Sequence, residues 1–363
     1  MSNKHYIIPI FVPHIGCPHT CVFCNQDSIT GDAGIVGSTG NVDGNFVKKT
    51  IDEYLNTINN REAIIEVSFF GGTFTGIDMC KQRELLNVAQ NYKNAGTINF
   101  IRLSTRPDYI DNEILNHLKS FDVDIIELGV QSLDDDVLNK SGRGHTVQDV
   151  ERASKLIKEY GFTLGHQIML GLPGDTKEKD IATTTKSIAM GPSICRIYPS
   201  LVIKDTPMEK LLLAGKYKPY SLKQSVDISK VIYGMLESSG VKVIRIGLQP
   251  TEEINEGGDI IDGPFHPAYR ELVEGSIYCD IIYDYVNKKK EIPSSIYINP
   301  KDISKLYANK KEYFNELLKK MKVKKLSILQ SSDLENGSLG FYNNGKLNII
   351  KKQEYLKDIY GTK

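Results

Sequence analysis

Three of the six cysteines in this 363-residue chain, Cys17, Cys21 and Cys24, fall within eight residues. Thiols at i, i+4 and i+7 on a short loop can wrap three corners of a small metal cluster, and cysteine sulfur is the usual ligand of iron-sulfur cubanes. The fourth iron then lacks a nearby protein thiol, since Gln26 stands where one more cysteine would complete the set. An open iron calls for a small-molecule ligand. The other reading is a structural zinc site completed by His14 or His19. Against it, zinc ligands usually come as paired Cys-x-x-Cys knuckles, whereas these three thiols follow a strand-like run. Cys80, Cys195 and Cys279 have no partner at ligand spacing, and Cys195 reads as a small packed residue.

Such a loop needs a frame. From Lys4 to about residue 205, apolar strand-like runs alternate with helical patterns, the signature of parallel βα units. Six strands are expected: Tyr6–Pro13, Ile64–Phe70, Ile98–Ser104, Ile125–Gln131, Thr163–Leu170 and Ile194–Leu201, each gap leaving room for a crossover helix. The clearest helix begins after Thr146, a hydroxyl cap with Asp149 three residues on, and puts Val150, Ala153, Ile157 and Tyr160 on one stripe before Gly161. Six units are fewer than the eight of a closed barrel, so the expected fold is α/β, a partial (β/α)6 TIM-like barrel with its chemistry at the C-terminal strand ends. Cys17, Gly71-Gly72-Thr73, Ser104-Thr105-Arg106-Pro107, Gln131-Ser132 and Gly171-Leu172-Pro173-Gly174 each follow an apolar run. Five such strand ends point to one shared site.

Composition sets the outer bounds. Lys+Arg and Asp+Glu are both 45, so no global field draws the chain to polyanions. The opening apolar run Tyr6–Val12 contains Pro9 and is far too short to cross a bilayer, and six cysteines in so long a chain are no secreted disulfide framework. A cytoplasmic protein without membrane contact is expected. The expected organisation is a barrel core over 1–205, a smaller α/β appendage over 206–283 that includes a strand at Val241–Ile246, and a lysine-rich region over 284–363. That last region has twelve lysines against five acids between Asp284 and Lys325, and a closing strand-turn-strand around Asn343-Asn344-Gly345.

With Cys17-x3-Cys21-x-Phe23-Cys24 after a first strand, the chain resembles the radical S-adenosylmethionine (SAM) superfamily. The resemblance implies a 4Fe-4S cluster on the three cysteines and a SAM molecule chelating its unique iron. Reductive cleavage of SAM to a 5'-deoxyadenosyl radical, with electrons from a reductant such as flavodoxin or ferredoxin, is then the expected chemistry. Phe23 matches an aromatic the family often carries there. Gly71-Gly72-Thr73 resembles the motif that binds the SAM amino group, with Thr73 in place of the usual Glu. Gln131, Arg143 and Gln167 match positions that contact ribose or carboxylate in relatives, although Gln167 stands where many have Asp. The turn at Leu172 resembles the segment lying along the adenine, and Ser104 can add a hydroxyl.

Further motifs narrow the branch. Thr105-Arg106-Pro107-Asp108, Glu127 to Ser132, Arg143 to Val147 and Ile197 to Thr206 look like the radical SAM half of the Elongator catalytic subunit, over roughly residues 5 to 245. That resemblance implies tRNA as a partner. The region after Gly263 is too short for an acetyl-CoA domain, so a short bacterial Elongator-like form is expected, without the acetylation step. Oxygen-independent coproporphyrinogen III oxidase shares the Gly-Val-Gln and Gly-Leu-Pro-Gly elements, but it has a cysteine at the place of Gln26. A non-catalytic iron-sulfur carrier is the alternative from another class. For RNA contact, Arg196, Tyr198, Lys204 and Lys216 are expected near the barrel mouth, together with Lys218. The lysine-rich segment reads first as the solvated face of a helix with Tyr307, Phe314, Leu317 and Leu318 inward, and second as a footprint for RNA phosphates.

Overall fold

The computed structural model describes residues 4–12, 21–25, 42–60, 62–251, 254–255 and 257–361. Within them the strands β1 (His5–Val12), β2 (Ile64–Gly71), β3 (Phe100–Thr105), β4 (Ile125–Gln131), β5 (Thr163–Leu170), β6 (Ile194–Pro199) and β8 (Lys242–Ile246) form one parallel sheet in that spatial order. A short β7 (Val202–Ile203) precedes β8 in the chain and pairs antiparallel with β9 (Ile260–Asp262). The six expected strands are all present. The seventh, expected in the appendage, extends the partial barrel instead: β8 pairs with β6 because the helix between them is long enough for one more crossover.

The crossovers are helices α1 (Gly44–Thr57), α2 (Met79–Asn94), α3 (Asn112–Ser120), α4 (Asp135–Lys140), α5 (Val147–Glu159), α6 (Lys177–Met190), α7 (Pro207–Leu213) and α8 (Leu222–Ser238). Thr146 and Asp149 form the expected reciprocal cap of α5, and Val150, Ala153 and Ile157 are buried beneath it. Strand alternation decides which face is which. Ile8, Ile10, Val12, Val67, Phe69, Ile101, Leu103, Ile126 and Leu128 are buried under the helices, each contributing about 1.5–3 kcal/mol. The alternate positions, among them Glu66, Arg102, Glu127, Gln167 and Arg196, line a cavity on the concave face. His166 is a satisfied core histidine, with its two ring nitrogens 3.0 and 2.8 Å from the Ser154 and Ser187 hydroxyls, and burial pushes its pKa down to about 3.

The rest is a C-terminal lobe. Helix α9 (Tyr269–Lys289) packs on α8 and on α10 (Ile303–Leu306) and α11 (Ala308–Met321). A four-stranded sheet follows in the order β11 (Ile328–Gln330), β10 (Ser295–Ile298), β12 (Ser338–Asn343), β13 (Lys346–Lys351). The turn between β12 and β13 has Asn344 and Gly345 at φ +49° and +77°, the paired left-handed residues of a type I′ hairpin. Helix α12 (Lys352–Tyr360) returns to α8.

The lobe is held together by a buried ion cluster, whose Arg270 also donates to the Val243 carbonyl of β8 at 3.1 Å. The Glu274 carboxylate on α9 meets Lys305 at 2.6 Å, Lys352 at 3.2 Å and Arg270 at 3.2 Å. Burial raises the pKa of Glu274, but Lys352, Lys305 and Arg270 outweigh it and hold the carboxyl at about 2. The ionised form therefore contributes roughly 3 kcal/mol at neutral pH. That contribution is complete above about 4.5 and is lost as pH falls toward 2. Wild type should exceed Glu274→Gln in urea midpoint at pH 7, with the gap closing below pH 4; a gap independent of pH would contradict this account.

Candidate functional site

The cavity, about 1060 Å³, runs along the concave face from the cysteine loop to the opposite end of the strands. Cys21 and Cys24 both line it, whereas Cys17 lies outside the described residues, as do His14, His19 and Gln26. The loop at 21–25 is clamped from two sides. The Val22 amide donates to the Ser141 carbonyl at 3.0 Å, the Met208 amide donates to the Val22 carbonyl at 2.9 Å, and the Asn25 side-chain amide donates to the Lys204 carbonyl at 3.1 Å. Phe23 packs against Val137, Met169, Leu172 and Tyr198 on one side and toward Val202, Met208 and Tyr217 on the other. Leu172 thus sits behind the loop and does not line the cavity.

Arg143 is not a surface residue. It is 7% exposed, and its guanidinium donates to the Cys21 sulfur at 3.4 Å and to the Gly129 carbonyl at 2.6 Å. Its Nε has no hydrogen-bond partner among the described residues. Burial works against the Arg143 charge while the Cys21 sulfur supports it. The Arg143 carbonyl in turn accepts from Arg106, whose guanidinium is tied to Asp108 at 2.9 Å.

Two glycines make this crowding feasible. A Cβ on Gly129 would stand 3.1 Å from both the Arg143 guanidinium and the Gln131 amide. Gly71 has φ +104°, and a side chain there would run into the Val12 carbonyl, to which the Gly72 amide donates. Gln131 itself has φ +65° at a bulge between β4 and β5, an uncommon conformation for a non-glycine residue. That turn aims its side chain into the cavity, where its oxygen accepts from Gln167 at 3.4 Å. Ser104, Gly71, Gly72 and Thr73 line the same cavity, with Thr73 buried. Of the strand-end residues singled out by sequence, Gly71, Gly72, Thr73, Ser104, Thr105, Arg106 and Gln131 line the cavity with two of the three clustered thiols, whereas Pro107, Ser132 and the turn 171–174 do not.

Deeper in the barrel lies a charged chain that sequence reading missed. Glu66 holds Arg102 through two contacts of 2.8 and 3.0 Å, Arg102 reaches Glu127 at 3.5 Å, and Glu127 accepts from Arg196 at 2.9 Å. The chain thus spans β2, β3, β4 and β6, with Glu66, Arg102 and Glu127 almost wholly buried. Arg196 then donates to the Tyr198 hydroxyl at 3.2 Å and lies over the Phe70 ring at 5.0 Å. Although burial opposes it, Glu127 and Tyr198 hold the Arg196 pKa above its ordinary value. The available signal was a single acid or guanidinium within each of four otherwise largely apolar strands. Arg196, expected at the mouth, faces the interior and is ion-paired. Tyr198 lines the cavity beside it, while Lys204 and Lys216 are exposed and do not. Arg245 also lines the cavity. His266 does not, and it accepts from the Ala268 amide just ahead of α9.

The chain matches the family described as "Radical SAM superfamily" over residues 11–185 and "Radical_SAM C-terminal domain" over 192–278. It is 25% identical over 319 residues to the tRNA uridine(34) acetyltransferase of Methanocaldococcus infernus, covering 78% of this chain and 56% of that protein. To human Elongator complex protein 3 it is 35% identical over 131 residues, covering 35% of this chain and 24% of that protein. Its fold is similar to a solved structure of the archaeal M. infernus Elp3 with an N-terminal deletion, at TM-score 0.60 and 22% identity, covering 80% of this chain and 64% of the other. The chain spans about half the length of the longest-matching curated relatives. Two thiols, a buried guanidinium and two amides around one barrel cavity, within a sequence that matches both parts of the family, make this chain an enzyme that belongs to the radical SAM superfamily, similar to the Elongator catalytic subunit.

Proposed function

We propose that the chain binds a 4Fe-4S cluster through Cys17, Cys21 and Cys24, binds SAM at the same cavity, and acts on tRNA in the cytoplasm. When bound and reduced by a flavodoxin- or ferredoxin-type donor, the pair supplies a 5'-deoxyadenosyl radical for hydrogen abstraction. The observation that carries this reading is the convergence of Cys21, Cys24, Arg143, Gln131 and Gln167 on one cavity. The donor set suits the group: soft thiolates for iron, the free Arg143 Nε for an anionic oxygen, and two neutral amides for hydroxyl groups. In this reading Arg143 steadies the Cys21 thiolate, Gln131 and Gln167 orient a ribose, and the backbone at Gly72 admits an amino group.

The tRNA part rests on the relatives' names. In keeping with it, Lys204 and Lys216 stand exposed beside the segment that clamps the cysteine loop. The deciding measurement compares modified nucleosides of bulk tRNA from cells with and without the protein. A wobble-position nucleoside is expected to disappear without it, and identical profiles would end the tRNA reading. No helix among the described residues is long and apolar enough to cross a membrane.

A further inference from the structure

The lysines of the C-terminal lobe are scattered in sequence but gathered in space. Alongside α9, residues 305 and 308 lie against Gly275, and Lys320 sits with its ammonium 3.5 Å from the Tyr283 ring. Helices α9 and α11 therefore run side by side in the same direction, α9 continuing six residues beyond Tyr283 to Lys289. Lys288, Lys289 and Lys290 close α9, while Lys319, Lys320, Lys322, Lys324 and Lys325 close and follow α11. All eight are exposed, and none makes an ion pair among the described residues. Lysine in a last helical turn favours the helix dipole, which accounts for Lys288, Lys289, Lys319 and Lys320. It does not account for Lys290, Lys322, Lys324 and Lys325, which lie beyond the helices. The expected inward face is real too, since Phe314 and Leu317 are buried and Tyr307 and Leu318 pack on the core. The outer face is thus left to the lysines.

The orientation of this cluster relative to the mouth follows from α8. As the crossover between parallel β6 and β8, α8 runs against the strands, so its first turn lies at their C-terminal ends. The segment leading into it confirms this, because the Tyr217 hydroxyl donates to the Gly171 carbonyl at 2.6 Å, directly after β5. Glu316, near the end of α11, is ion-paired with Lys223 in that first turn. The α11 lysines accordingly lie toward the same end of the molecule as the cysteine loop, as do the exposed Lys216 and Lys218, while the α9 run lies to their side, since Asp280 of α9 pairs with Lys230 two turns further along α8.

We propose that this lysine cluster is a docking surface for the phosphodiester backbone of an RNA whose reacting nucleotide enters the cavity. The inference rests on the tRNA reading above and adds where the body of that RNA lies. Unpaired ammonium groups facing phosphates release counterions, which makes binding steeply salt-dependent without sequence preference. A membrane surface fits less well, because the apolar residues interleaved with the lysines, Met321 and Val323, are turned at least half inward, leaving Ile292, beside Glu291, as the one large apolar side chain exposed among the described residues between 288 and 325.

The test measures binding of fluorescently labelled bulk tRNA to the full chain between about 0.05 and 0.3 M potassium chloride. The variant carries Lys319→Glu, Lys322→Glu, Lys324→Glu and Lys325→Glu, sparing Lys320 for its contact with Tyr283. Its affinity should fall at least about tenfold at 0.1 M salt, and the slope of log affinity on log salt should flatten by roughly two to three. A Gln version of the same four, with unchanged thermal midpoint, should show the smaller part of that loss. Reversing Lys49, Lys155, Lys346 and Lys357 matches the net charge and should change affinity less than about twofold. Wild-type binding by the cluster variant overturns the docking surface and leaves the tRNA reading intact, as does equal loss in the charge-matched control. No salt-sensitive tRNA binding by wild type overturns both. Cluster-dependent capture by phosphatidylserine vesicles with unchanged tRNA binding overturns the RNA assignment in favour of a lipid surface.

Discussion

Replacing Cys24 with alanine is expected to abolish iron binding and 5'-deoxyadenosine formation together, while leaving the fold in place. After anaerobic reconstitution, wild type should carry about four irons per chain and form 5'-deoxyadenosine from SAM under reduction. Cys24→Ala should drop both to background, a rate loss of at least about a thousandfold if the radical pathway closes, equivalent to about 4 kcal/mol in the barrier. Cys24 is half-buried at the cavity wall rather than packed in the core, so the thermal midpoint of the apo-protein should move by only a few degrees. The pairing of readouts matters. Iron retained by wild type with no 5'-deoxyadenosine above the Cys24→Ala background would point to an iron-sulfur carrier. Tetrahedral zinc as the tightly held metal would point to a structural site.

Removing the Glu127 carboxylate should lower stability about as much as losing the Glu274 charge, and at every pH at which Glu127 is ionised. Glu127 stands between Arg102 and Arg196, and its loss leaves two guanidinium groups short of a partner. Breaking a buried pair from one side costs about 3–5 kcal/mol. The cavity beside it admits solvent, and Arg102 keeps its two contacts with Glu66, so the lower end, about 3 kcal/mol, is expected for Glu127→Ala. Urea unfolding would show this as a lower midpoint at unchanged slope. The double variant with Arg196→Met should recover part of the loss, because it removes the guanidinium left unpaired. A single variant within 0.5 kcal/mol of wild type, the range of surface changes, would mean that Arg196 finds water instead and that the chain across the barrel holds nothing together.

Much of the frame was legible because it rests on local patterns. The six expected strands are apolar runs whose outward residues pack under helices, and the reciprocal cap at Thr146 is a four-residue signal that needs no tertiary context. The strand at Val241–Ile246 was legible as a strand, but its partner was not. Whether it joined β6 or a separate sheet depended on the run of α8 between them. Within the site, the thiols and glycines announced themselves by type and spacing. Glu66, Arg102 and Glu127 did not, because each sits alone in an apolar run and becomes meaningful only when four neighbouring strands bring the charges within 3.5 Å. Arg196 was misplaced for the same reason: strand-end logic puts a residue near the mouth but does not say which face of the pleat it occupies or what it meets there.

The sequence by itself determined the clustered thiols on which the proposed cofactor chemistry rests, because ligand type and spacing along a short loop are both local. It also determined that polar groups would gather at the ends of parallel strands, since that follows from the βα repeat. Only the tertiary structure decided how those groups are held: Arg143 buried against Cys21, Gln131 turned inward by a left-handed backbone at the bulge, and an ion chain crossing the barrel floor. It alone also decided that two lysine runs some thirty residues apart lie on neighbouring helices, the second of them toward the end that carries the cysteine loop, because helix direction and packing, not sequence distance, set which charges become neighbours.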